Sequence, residues 1–146
     1  MGDIAYTAKN IRPLAGASKL PPVMAGGAVE KGNCVYMASD GDVVATDANA
    51  AVTVEGIGLV VEVPSIAGTS NTAAADQDAV TVVNKGPVAG FSGMTPGTIL
   101  YVSATTGKIT DVAPTGAGTT WVKVLGWAFS ASVVWVDPQV AAATAN

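Results

Sequence analysis

The chain has 146 residues, no histidine, one cysteine, 7 Lys+Arg against 11 Asp+Glu, and a formal charge of −4. It therefore lacks the commonest general base and metal ligand, and also the clustered cations that neutralise a phosphate backbone, so catalysis by a Ser-His or Cys-His pair and nucleic-acid binding are not expected. Charged residues make up 12%, about half of the ~25% usual in globular domains, which predicts a surface largely covered by partners, a mildly acidic monomer with a Thr/Ser-rich polar face being the other reading.

Residues 1–24 differ from the rest. They carry Lys9, Arg12 and Lys19, and also Pro13, Pro21 and Pro22, with apolar residues scattered between them. Proline fixes φ and stops helices, so this segment reads as an extended arm, with a disordered terminus as the other reading. Ile4, Tyr6, Ile11 and Leu14 are expected to sit in shallow pockets of a neighbouring protein. Lys9 and Arg12 would face an acidic surface. The start of the chain has no basic n-region followed by an apolar h-region, and Tyr6 stands where a myristoylation signal needs Ser or Thr. No apolar run approaches the ~20 residues of a membrane helix, so no membrane partner is expected.

Residues 25–138 are expected to form a β-domain. Strands are predicted over residues 34–38, 43–46, 56–63, 79–84, 87–91, 99–103, 108–110, 121–129 and 132–136. Turns are expected at Asp40-Gly41, Lys85-Gly86-Pro87, Pro96-Gly97, Thr106-Gly107 and Thr115-Gly116-Ala117-Gly118. Short strands at this spacing predict an all-β barrel or sandwich. Two stretches share one plan. Lys31-Gly32-Asn33-Cys34-Val35-Tyr36 leads through Asp40-Gly41 to Gly56-Ile57-Gly58-Leu59-Val60. Pro96-Gly97-Thr98-Ile99-Leu100-Tyr101 leads through Thr106-Gly107 to Lys123-Val124-Leu125-Gly126-Trp127-Ala128. Tyr36 and Tyr101 are thus expected on corresponding strands of two related strand–turn–strand units.

The chemistry-bearing residues read as structural. Cys34 has no cationic neighbour to lower its pKa and behaves as a small apolar side chain. Asp40, Asp42 and Asp47 lack the glycine and glutamate that complete a calcium loop, and Asp-Gly between strands favours a hairpin. Gly56-Ile57-Gly58 lacks the third glycine of a dinucleotide loop. Ser92 is not a nucleophile elbow, because Met94 stands where the second glycine is needed. Residues 67–78 read as a surface loop or one short helical turn. No cofactor, metal or catalytic residue is expected. In the strand 121–129, alternation puts Trp121, Leu125, Trp127 and Phe129 on one face with Lys123, and both faces are apolar enough to be covered. Trp121, Leu125, Trp127 and Trp135, with Tyr36 and Tyr101, are assigned to core or subunit interface; an aromatic sugar-binding face is the other reading of the tryptophans. Residues 139–146 form a tail, either loose or with one turn of helix.

Met24-Ala25-Gly26-Gly27-Ala28-Val29-Glu30-Lys31-Gly32-Asn33-Cys34-Val35-Tyr36 resembles the opening of small tailed-phage head decoration (capsid cement) proteins. Gly86-Pro87-Val88-Ala89-Gly90, Pro96-Gly97-Thr98-Ile99-Leu100-Tyr101-Val102 and Val124-Leu125-Gly126-Trp127-Ala128 resemble their later phrases. The resemblance spans about residues 24–136. It implies a virion structural protein, made in the host bacterial cytoplasm, that sits on the outer capsid surface. Its partners would be the major capsid protein and neighbouring decoration copies, or a homo-oligomer. Binding only the assembled shell would stabilise that state by mass action. A head-fibre or carbohydrate-binding adhesive module is the second function considered.

Overall fold

The computed structural model describes residues 2–64, 72–115 and 120–139, and the backbone of 144–145. In chain order the strands are β1 (Ala5–Tyr6), β2 (Arg12–Pro13), β3 (Ser18–Lys19), β4 (Val23–Met24), β5 (Val29–Glu30), β6 (Cys34–Met37), β7 (Val43–Ala45), β8 (Gly56–Glu62), β9 (Ala73–Ala74), β10 (Ala79–Ala89), β11 (Phe91–Ser92), β12 (Ile99–Val102), β13 (Ile109–Thr110), β14 (Trp121–Val122), β15 (Val124–Ala128), β16 (Val133–Val136) and β17 (Thr144–Ala145). One 3-10 turn, Ala8–Asn10, interrupts them. The fold is all-β, built on one large curled antiparallel sheet.

The two related units are present in the backbone. The sheet order β13-β12-β15-β16-β10-β8-β6-β7 runs through the second unit and then through the first in reverse. Each unit has a hairpin whose first strand also pairs with a later, longer strand. In both, the register shifts immediately before the tyrosine, between Val35 and Tyr36 and between Leu100 and Tyr101. Both entry turns use a left-handed glycine, Gly32 at φ 97° and Gly97 at φ 87°. Gly32 N donates to Val60 O at 2.8 Å, and Gly97 N donates to Ala128 O at 2.7 Å. Val35 pairs with Gly58 and Leu100 with Gly126. A Cβ on Gly58 would lie 2.1 Å from Val83 O, and one on Gly126 would lie 1.9 Å from Trp135 O. At both places the next strand's carbonyl occupies the space of a side chain, so only glycine fits.

Residues 79–89 form one strand of 11 residues, where the Lys85-Gly86-Pro87 turn signal predicted a break. Gly86 takes φ 109° without ending the strand. The reason is the arm. β2 pairs with Val88–Ala89, β3 with Val83 and Lys85, and β4 with Ala79–Val80. The arm passes over Gly86, where a Cβ would lie 2.7 Å from Ala17 Cα.

This overturns the expectation that residues 1–24 reach over a neighbour. The arm is extended, but it belongs to the chain's own sheet. Its ends also cover the edges of the eight-strand path. Asp3 bridges Thr110 beside β13, and Ala25 bridges Val43 beside β7. Unpaired strand edges invite aggregation, and these contacts occupy them. Ile4 and Ile11 are 5% and 1% exposed within the main core, so neither is available to a partner. Two further expectations change. Ala73–Ala74 pair with β5 as a strand, not a helical turn. Backbone 144–145 pairs with β14. Residues 67–71, 116–118, 140–143 and 146 of the expected loop, turn and tail lie outside the described residues.

Two cores result. The main one packs Cys34, Leu59, Val61 and Val83 of the first unit against Leu100, Val102, Leu125, Val134 and Val136 of the second. The other packs the opposite face of the first unit, through Val35, Val43, Val60, Val80 and Val82, under Ala25, Val29 and Ala74, with Leu20 and Val23 of the arm beside it. Deleting residues 2–20 is therefore expected to unfold the chain, and Ile11→Ala to cost about 2–5 kcal/mol. Urea denaturation followed by circular dichroism checks both. A truncated chain with an unchanged midpoint would contradict this account of the arm.

Candidate interaction surface

Among the described residues the first unit is covered on both faces and the second on one. Pro87, Trp135, Trp127 and Ile99 face one another across β10, β16, β15 and β12. In the first unit the residues at the corresponding register positions, Cys34, Leu59 and Val83, are completely buried. In the second, Ile99 is 49% exposed, Trp127 38% and the adjacent Phe129 54%. Trp127 stacks on Trp135 with ring centroids 5.9 Å apart and planes 24° apart, and Phe129 lies 5.9 Å from each. Among the described residues these three aromatics, with Ile99, form an uncovered apolar face.

Two expectations about these residues change here. Trp121, Leu125, Trp127 and Phe129 do not share a face, and the strand is not covered on both sides. Trp121–Val122 is a separate strand paired with β17. The register shift between Leu100 and Tyr101 falls opposite Leu125 and breaks the alternation. Leu125 turns into the main core, while Trp127 and Phe129 turn outward. Trp121 is half-buried against the main core, and Trp135, Tyr36 and Tyr101 are half-buried. Ile99 is passed over in the sequence reading, and Phe129 is placed on the strand's face without being assigned to core or interface. Their signal was the repeat itself, because large apolar residues stand where the first unit has its core.

The arm residues divide. Tyr6 is an internal anchor: its hydroxyl donates to Glu30 and accepts from Asn33 Nδ2 at 3.1 Å. Its ring packs over Gly32, where a Cβ would come within 2.7 Å, and Lys108 Nζ sits 4.7 Å from the ring centroid. Burial, then the Glu30 hydrogen bond, pushes the phenol pKa up. Leu14 is half-buried, while Lys9 and Arg12 are exposed.

Elsewhere the polar groups do structural work. Asp40 accepts from Asp42 N at 3.0 Å, and Asp47 accepts from Asn49 N at 2.9 Å, as turn residues do. No group of three or more Cys, Asp or Glu able to hold a metal occurs among the described residues. Lys123, 4% exposed, is held by Glu55 Oε2 at 3.2 Å and by the carbonyl of Gln139. It lies beside a cleft of about 560 Å³ that also exposes Met37, Ile57 and Asn84. At its wall the Lys123 amine and the Glu55 carboxylate are held to each other. No family model, curated protein or solved structure matches the chain.

Two outcomes are expected. Cys34 is fully buried, and burial pushes its thiol pKa up to about 12 from 9.0. It should resist iodoacetamide at pH 8 until the chain unfolds. Because the unfolded thiol ionises first, its contribution to stability is complete below pH ~9 and is lost as pH rises towards 12. Rapid labelling of folded protein would contradict this. For the bare face, Phe129→Ser and Trp127→Ala should each cost about 1 kcal/mol, well below the ~3–5 kcal/mol of a buried tryptophan. Chemical denaturation of the two variants measures this.

Proposed function

We propose that this chain is a structural protein of a tailed-phage virion. It decorates the outer capsid surface and stabilises the shell by bridging major capsid subunits. The observation that carries the reading is the uncovered aromatic face of the second unit. Large exposed apolar patches mark protein contacts, and Trp is enriched at the energetic centres of interfaces. The low charge content and the resemblance to capsid cement proteins support the same reading. The mechanism is linkage: a protein that binds the assembled shell and not free subunits adds its binding free energy to the assembled state. No catalytic step is required, and synthesis in the host bacterial cytoplasm suffices.

A carbohydrate-binding module of the virion surface is the second reading. The near-parallel stacking of Trp127 and Trp135 favours it, because flat exposed rings also receive sugars. Both readings are tested by adding the full chain to expanded shells of its phage and imaging them by electron cryomicroscopy. Ordered extra density and a higher shell melting temperature are expected. Bare shells together with glycan binding lost in Trp127→Ala would replace the capsid reading with the adhesive one.

A further inference from the structure

Most cations of this chain already have counterparts. Lys19 lies 3.0 Å from Glu62, Lys85 4.0 Å from Asp137 and Lys123 3.2 Å from Glu55, while Lys108 sits over the Tyr6 ring. Arg12 differs. Its guanidinium donates to Asn10 O at 3.3 Å within its own turn, and no carboxylate among the described residues pairs with it. Exposed Lys9 stands in the same turn.

Register sets Arg12 beside the aromatic face. Arg12 pairs with Ala89, Ala89 pairs with Val133, and Phe129 N donates to Val133 O at 2.9 Å. Val133 and Trp135 alternate with the buried Val134 and Val136, so they share the outward face. Arg12, Phe129 and Trp135 therefore lie on adjoining rungs of one surface. Next to Arg12 is a cleft of about 320 Å³ walled by Thr7, Asn10, Ser92 and Ser132. It offers hydroxyl and amide groups around one cation, a setting that suits a carboxylate. Guanidinium binds carboxylates through two parallel hydrogen bonds.

We infer that the bare face docks an apolar patch of the shell subunit whose margin presents an Asp or Glu side chain to the cleft beside Arg12. This rests on the capsid reading above. A second copy of the chain fits less well. The carboxylate nearest the aromatic row along these strands is Asp137, whose own neighbour at 4.0 Å is the cation Lys85. Aromatic contact supplies affinity, and the ion pair supplies orientation and rate of encounter.

The test titrates expanded shells of its phage into the full chain and follows tryptophan fluorescence and cosedimentation at several salt concentrations. Arg12→Gln and Arg12→Glu are expected to weaken binding about tenfold or more at low salt and to flatten the salt dependence. Phe129→Ser should weaken it at all salt concentrations. Lys19→Gln, which removes a charge away from this face, should bind like wild type. Circular dichroism establishes that each variant is folded. If both Arg12 variants bind like wild type while Phe129→Ser is weakened, the carboxylate contact is wrong and the capsid reading stands. If all variants bind equally, the face is not the contact. If wild type does not bind shells, the capsid reading fails and this inference fails with it.

Discussion

The structure depends on satisfying one strand. β10 runs 11 residues through the middle of the sheet, with β8 bonded along its first half and β16 along its last. Each of those partners covers only part of its length. The rest of its backbone groups would be buried without hydrogen bonds unless another segment supplied them, at a cost of roughly 1–3 kcal/mol per orphaned group. The first 24 residues are that segment, pairing with β10 at three places. Gly86 matters because a backbone passes directly over it. A side chain there would push the arm away and uncover β10.

The same strand explains why the units, alike in pairing, differ in burial. The inner face of the second unit lies on the first, making the main core. The other face of the first unit is closed by the arm and by Val29 and Ala74. By register the open aromatic face of the second unit matches Cys34, Leu59 and Val83 of the first, which lie in the main core and not under the arm. An interaction surface thus arises from a repeat in which only one copy is covered.

Charge placement is consistent with this. An acidic chain with few cations uses three of them in ion pairs and one over a tyrosine ring, yet leaves Arg12 beside the apolar face. A mixed surface of rings and one guanidinium gives both affinity and directional choice, which a purely apolar patch does not.

By itself the sequence determined the local features. Gly32, Gly41, Gly97 and Gly107 turn the chain with positive φ, and the strands following these turns form as their alternation predicts, because turn chemistry and side-chain period act over a few residues. The two-unit plan was legible for the same reason. The tertiary structure alone decided where the arm goes, since a proline-rich extended segment pairs equally well in principle with its own chain or another. It also decided which tryptophans face water. A register shift opposite Leu125 reverses the alternation that a regular strand would keep, and such a shift is set by cross-strand pairing with Leu100 and Tyr101, not by residues 121–129.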